Sequence, residues 1–197
     1  MSKAENTRQF IVEKIAPIFN KQGFAGTSLS DMTDATGLTK GSIYGNFANK
    51  DEVALAVFDY NFSRLNKGLD AVIAGCTNSI DALMKMANFY RVEIRNTITG
   101  GGCPILNTAI EADDTHPELK LRAAKGIKDW KKKIETIIKK GSAAGEIKAT
   151  INAAEFAIEF ISIIEGGIML TKTTGDLGML NICIKRVEKI INTELKK

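Results

Sequence analysis

Histidine, cysteine and proline are scarce in this chain of 197 residues, and their scarcity narrows the chemistry open to it. The single histidine, His116, leaves almost no material for a metal site or a general base. The three cysteines, Cys76, Cys103 and Cys183, are widely and irregularly spaced, which fits neither a disulfide framework nor a zinc knuckle. We therefore expect a reducing compartment, no metal and no other cofactor.

The chain also lacks a long uncharged apolar run. Glu159 and Glu165 interrupt its most apolar region, residues 153–170. The N-terminus does not combine a basic segment with an apolar stretch of signal-peptide length. These absences predict a cytoplasmic protein without a membrane partner. The hydrophobic content of 44% is sufficient for a sizeable buried core.

Positive charge is unevenly distributed along the chain. The net charge is +4, but residues 1–60 contain six Lys or Arg against seven Asp or Glu. The excess lies in residues 61–197, with 21 basic against 16 acidic residues. Overall charge therefore does not support DNA binding, whereas the local composition does, since residues 35–50 contain Lys40 and Lys50 and no acid.

Apolar residues recur at intervals of three and four along almost the whole chain, which predicts an all-α fold. The predicted helices cover residues 5–22, 29–36, 40–46, 50–68, 79–97, 105–112, 117–141, 152–172 and 177–195. Ser28 and Thr39 are predicted N-terminal caps, and Gly37 is a predicted helix end. We expect an N-terminal helical unit over residues 1–49 and a larger one over 50–197, connected by the helix at about 50–68.

Two short helices separated by Gly37 have the spacing of a helix-turn-helix motif. In that geometry a small shared core is formed by Leu29, Met32, Leu38, Ile43 and Phe47. The opposite face presents Lys40, Ser42, Tyr44 and Asn46, bordered by Thr27, Thr39 and Lys50. Hydroxyls and lysines of this kind contact phosphates, and side chains that enter the major groove read bases. The small residue Gly45 allows a close approach to the groove wall.

The segment "IFNKQGFAGTSLSDMTDATGLTKGSIYGNFANKDEVALAVF" strongly resembles the N-terminal domain of the tetracycline-repressor (TetR) family of bacterial transcriptional regulators. The similarity includes Gly37 and the strings "TKGSIYGNF" and "NKDE". The resemblance implies a homodimeric DNA-binding regulator, most simply a repressor that a small-molecule effector releases from a palindromic operator. It also implies that DNA is contacted by Thr27, Thr39, Lys40, Ser42, Tyr44 and Lys50. Many members have an aromatic residue or histidine where Gly45 and Asn46 stand, so base readout here can differ, with Asn46 able to pair with an adenine edge.

By the same resemblance, residues 50–197 form an all-helical domain for ligand binding and dimerisation. Two apolar stripes on the last two predicted helices could form a dimer seam, although an intramolecular core would produce the same pattern. The predicted dimer residues are Phe156, Ile163, Gly167, Leu177, Leu180, Ile184, Val187 and Ile191. The candidate effector-binding residues are Phe62, Phe89, Tyr90, Ile94, Cys103, Trp130 and Phe160, each of which also fits an ordinary core.

Two other functional classes remain open at this point. A small enzyme could use Cys103 as nucleophile with His116 as base, but no third residue completes such a site. Cys103, which precedes a proline at a helix start, could alternatively be a redox sensor or an inert buried thiol. A helical protein-interaction module without DNA contact would lack the steep salt dependence of phosphate binding.

Overall fold

The computed structural model describes residues 2–197, apart from the side chains at positions 3 and 94–99. The described chain is helical, as the sequence predicts. Its helices are α1 (Lys3–Gly26), α2 (Leu29–Thr36), α3 (Lys40–Tyr44), α4 (Lys50–Ala74), α5 (Ser79–Thr99), α6 (Pro104–Ala112), α7 (Pro117–Ala143), α8 (Ala153–Thr174) and α9 (Leu177–Ile190), and a π-helical turn (Ile191–Leu195) follows. None of the described helices has the length and apolar content that a membrane crossing requires.

The helices are organised in two compact units, each assembled from two stretches of chain. The first unit comprises Met1–Leu65 and Gly100–Gly126, and the second comprises Asn66–Thr99 and Ile127–Lys197. Both α4 and α7 continue from one unit into the other. The functional boundary at residues 49/50 stays a prediction, because compactness alone does not assign function.

Apolar residues from α1 to α4 form the core of the first unit, together with α6 and the start of α7. Met32, Ile43 and Phe47 are at most 2% exposed, and Leu29 and Leu38 pack against them half-buried. The small core predicted for the helix-turn-helix is therefore confirmed. Burial of side chains of this size contributes roughly 1.5–3 kcal/mol each, so the core fixes short helices that would not be stable alone.

Local caps set the ends of α2 and α3. The Ser28 hydroxyl accepts a hydrogen bond from Asp31 N, and the Asp31 carboxylate accepts one from Ser28 N, which completes a capping box. The Ser28 hydroxyl also donates to the Asp31 carboxylate at 2.6 Å, and this bond, followed by the one from Ser28 N, lowers the pKa of Asp31. Gly37 ends α2 in the left-handed conformation, with φ 67° and ψ 12°. Thr39 then caps α3 by accepting from Ser42 N, so all three predicted signals are confirmed.

In the second unit, α8 and α9 pack against each other at a glycine. A Cβ atom added to Gly167 would lie 2.8 Å from a Leu180 methyl and 2.9 Å from Cys183 Cβ. A larger residue at position 167 would therefore separate the two helices. Close helix approach explains Gly167, whereas a Cβ at Gly166 would meet nothing within 4 Å.

The apolar stripes predicted as a dimer seam mostly face the interior of the protomer. Six of the eight predicted residues are buried: Phe156, Gly167, Leu180, Ile184, Val187 and Ile191. We remove these six from the predicted dimer surface, because buried side chains cannot contact a second subunit. Their periodicity reflects packing of α9 against α8 and α5. Ile163 is half-buried and Leu177 is 38% exposed, so both stay candidates.

Candidate nucleic-acid interface

A polar surface lies on α3 and the residues that flank it. We define this α3 surface as Thr39, Lys40, Ser42, Tyr44, Gly45 and Asn46. Thr39, Lys40, Ser42 and Gly45 are exposed, whereas Tyr44 and Asn46 are half-buried. Ile43 of the same helix is fully buried, so core packing determines which side of this short helix faces outward.

Tyr44 and Asn46 of the α3 surface also have structural contacts. The Tyr44 ring packs against the core of the first unit while part of the side chain stays accessible. The side-chain nitrogen of Asn46 donates to Ser42 O at 2.8 Å, so one of its two N–H donors is used within the protein. Adenine recognition by Asn46 would then use the second N–H and the amide oxygen.

Thr27 does not belong to the exposed surface. It is 0% exposed, and its hydroxyl donates to Gly23 O at 2.7 Å. We therefore remove the Thr27 side chain from the predicted DNA contacts. Its hydroxyl instead fixes the chain between α1 and the cap of α2, and the sequence gives no sign of this inward orientation.

Lys50, the first residue of α4, makes a cation–π contact with Phe24. Its Nζ lies 4.5 Å from the centroid of the Phe24 ring, an arrangement that restricts the ammonium group while leaving its hydrogen-bond donors usable. The Phe24 ring also meets the His116 ring edge-on, with 4.9 Å between the ring centroids. A cation held in this way suits contact with a phosphate.

The loop between α3 and α4 is held by two residues that the sequence reasoning missed. Arg8 of α1 donates to Asn46 O and to the Glu52 carboxylate, and its guanidinium lies 3.9 Å from the centroid of the Phe47 ring. Glu52 also accepts from Ala48 N at 2.6 Å. The hydrogen bond from Ala48, followed by the one from Arg8, lowers the pKa of Glu52. Arg8 and Glu52 are 44 residues apart in the sequence, so only the folded structure shows that they form a pair.

The candidate effector-binding residues are distributed over both units. Phe62 and Cys103 belong to the first unit, whereas Phe89, Tyr90, Trp130 and Phe160 belong to the second. Ile94 lies outside the described side chains. The Tyr90 ring lies 5.3 Å from that of Phe89 and 5.7 Å from that of Trp130, so these three form one aromatic cluster.

The aromatic cluster contains a buried donor that the core does not satisfy. Trp130 is 2% exposed, and its Nε1 has no hydrogen-bond partner among the described residues. A buried N–H left without an acceptor costs about 1–3 kcal/mol. An acceptor atom beside Trp130 would remove that cost.

The residues of the alternative enzyme site have structural roles here. His116 Nδ1 accepts from Leu119 N at 3.3 Å and so caps α7, which makes this nitrogen a poor general base. Its Nε2 lies 3.6 Å from an Asp51 oxygen. Cys103 is 3% exposed at the start of α6. Burial of this kind is typical of an inert structural thiol.

Comparison with known proteins relates this arrangement to DNA-binding regulators. Residues 11–57 match the model described as bacterial regulatory proteins, tetR family, and residues 79–186 match that of the tetracyclin repressor-like C-terminal domain. A TetR-family transcriptional regulator from Cytophaga hutchinsonii is 42% identical, with a TM-score of 0.95, and the match covers 100% of this chain and 98% of that one. A TetR regulator from Chloroflexus aurantiacus is 35% identical, with the same TM-score and 100% and 99% coverage.

Sequence relatives agree with the solved structures. The transcriptional repressor DhaR of Mycobacterium sp. strain GP1 is 26% identical over 165 residues, which are 84% of this chain and 82% of that protein. Proteins of this kind are transcriptional regulators and not enzymes, so the enzymatic alternative is set aside. One family model covers the helix-turn-helix, and the other extends from the start of α5 into α9. The chain belongs to the TetR family of DNA-binding transcriptional regulators.

Proposed function

We propose that this regulator is a repressor that binds a palindromic operator as a homodimer in the cytoplasm and leaves it when a small effector binds. The observation that carries the proposal is the α3 surface, where Lys40 and Ser42 are exposed while Ile43 of the same helix is fully buried. Two such surfaces related by a two-fold axis would enter major grooves about one helical turn, ~34 Å, apart.

Exposed apolar residues on α8 and α9 support dimerisation through those helices. Ile158, Met169 and Leu170 of α8 are 43–54% exposed, and Ile182 of α9 is 70% exposed. Helical periodicity places them away from the buried stripes of the same helices. Apolar side chains on adjacent outer faces are typical of a homodimer interface, so we propose that this outer face replaces the stripe predicted from sequence.

The aromatic cluster of the second unit supports an effector site. We propose that Trp130 Nε1 donates to an acceptor atom of the effector while Tyr90 and Phe89 contact its apolar part. An effector that couples to the operator by about 1–3 kcal/mol lowers operator affinity roughly 5- to 150-fold. Trp130 is the only tryptophan, so its fluorescence reports on this cluster alone.

The test begins with selection of bound duplexes from a random DNA pool by the full-length protein. A palindromic consensus would support the proposed operator. Gel shift on that consensus should then weaken for Lys50→Ala and for Tyr44→Phe, which removes the hydroxyl but keeps the ring that packs on the core. Recovery of no duplex, or unchanged affinity in both variants with unchanged mass and helicity, would contradict the proposal.

A further inference from the structure

We propose that Glu111 of α6 is a positioning residue for DNA recognition, because its carboxylate holds the segment of α1 that leads into the helix-turn-helix. Glu111 Oε2 accepts from Phe24 N and Oε1 accepts from Ala25 N, both at 2.9 Å. We call these two hydrogen bonds the Glu111 clasp. The inference rests on the proposed function, since positioning has meaning only if α2 and α3 bind an operator.

The clasp exists because α1 is interrupted just before it. Gly23 has φ 78° and ψ 178°, which lies outside the helical region and breaks the regular hydrogen-bond pattern. In a continuous helix Phe24 N would donate to Asn20 O. Here Phe24 N donates to Glu111, and Asn20 O accepts from the side chain of Asn107 at 2.9 Å.

Helix α6 thus provides both partners of the hydrogen bond that α1 has lost. Asn107 and Glu111 are four residues apart, so they lie on the same face of α6. One side chain satisfies the orphaned carbonyl and the other satisfies the orphaned amides. This matched replacement makes the contact between α1 and α6 specific in a way that apolar packing is not.

Glycine at position 23 is required by the clasp for two reasons. A φ of 78° is strained for residues with a side chain. A Cβ atom at this position would also lie 2.4 Å from the carboxylate oxygens of Glu111. The kink at Gly23 and the Glu111 carboxylate therefore depend on each other.

The segment held by the clasp leads directly to the α3 surface and to Lys50. Thr27, buried two residues after Ala25, donates to Gly23 O, and Ser28 then begins the cap of α2. The ring of Phe24, whose amide is in the clasp, contacts the Lys50 ammonium. A displacement of Glu111 would therefore alter both the entry into α2 and the position of a proposed phosphate contact.

Glutamine at position 111 is the informative substitution, because it keeps the size of the side chain. Its single amide oxygen can accept one N–H, whereas its NH₂ group would face the second N–H. The matched control is Glu118→Gln, which changes an exposed glutamate of the same unit. Both variants lose one negative charge, so a difference between them reports on the clasp and not on charge.

The experiment measures binding of the full-length variants by fluorescence anisotropy, to the duplex selected by the wild-type protein and to a scrambled duplex. Glu111→Gln should bind the selected duplex about tenfold more weakly, with scrambled-duplex binding, helicity and unfolding midpoint near wild type. Binding to a scrambled duplex depends on charge and tolerates imprecise geometry. Amide hydrogen exchange should become faster at Phe24 and Ala25, and Glu118→Gln should behave as wild type.

A second variant keeps the test decisive if Glu111→Gln fails to fold. Gly23→Ala opens the clasp from the opposite side, and on its own it should weaken binding to the selected duplex but not to the scrambled one. Where both single variants fold, the double variant should bind no more weakly than the weaker-binding single variant, because both substitutions remove the same contact. Unchanged selectivity in a folded single variant, or additive losses, would overturn the inference while leaving the proposed function intact. Failure of the wild-type protein to capture any duplex would instead overturn the proposed function.

Discussion

Substitution of Gly37 tests the turn that orients α2 and α3. Its φ of 67° is left-handed, and a Cβ added to it would meet nothing within 4 Å. The cost of Gly37→Ala is therefore conformational and not steric, about 1–2 kcal/mol. For a chain of this size a loss of 1 kcal/mol lowers the melting temperature by about 2–4 °C. We expect Gly37→Asn to lose less, because asparagine tolerates this conformation.

Thermal unfolding followed by far-ultraviolet circular dichroism measures the effect. The matched control is Gly75→Ala, where an added Cβ also meets nothing within 4 Å but the backbone is not left-handed. Gly37→Ala should melt lowest, with Gly37→Asn between it and wild type and Gly75→Ala no lower than wild type. Equal melting of Gly37→Ala and wild type would refute the assigned turn.

Three further predictions concern the packing of α8 and α9, the Arg8–Glu52 pair and the dimer. Gly167→Ala should lower the free energy of unfolding measured in urea. Overpacking against α9 costs about 1–3 kcal/mol, which exceeds the roughly 1 kcal/mol gained in helix propensity. A variant more stable than wild type would contradict this prediction. Glu52 should titrate below its ordinary pKa of 4.5. Its contribution to stability is therefore present above pH 4.5 and is lost as the pH falls through the lower pKa of the folded state. Arg8→Ala should raise the pKa of Glu52 in a carboxyl-carbon NMR titration. Ile182→Glu should convert a dimer to a monomer in sedimentation while keeping its helicity, and an unchanged mass would exclude Ile182 from the interface.

The sequence predicts most of the local structure, because its signals are local. Ser28, Gly37 and Thr39 act on backbone groups within four residues, so they fix helix ends without knowledge of the fold. The core around Ile43 follows from helical periodicity in the same way. The same signals predict that Lys40 and Ser42 are exposed, as they are in the structure.

The remaining features depend on contacts between distant segments. Periodicity shows that the Ile184 stripe of α9 is buried but not what buries it, because an intramolecular core and a dimer seam produce the same pattern. Thr27 turns inward to a carbonyl, which its residue type does not reveal. Arg8 and Glu111 act on backbone groups 38 and 86–87 residues away, and no sequence spacing encodes such pairs.

Salt dependence of duplex binding tests the central claim, contact between the α3 surface and DNA phosphates, most directly. Each phosphate contact contributes about 0.9 to the slope of log affinity against log salt. Fluorescence anisotropy on the selected duplex should show a slope reduced by about 0.9 for Lys40→Ala. Lys132→Ala, which removes an exposed lysine of the second unit, should leave the slope unchanged. An unchanged slope for Lys40→Ala, or an equal reduction in both variants, would contradict the account.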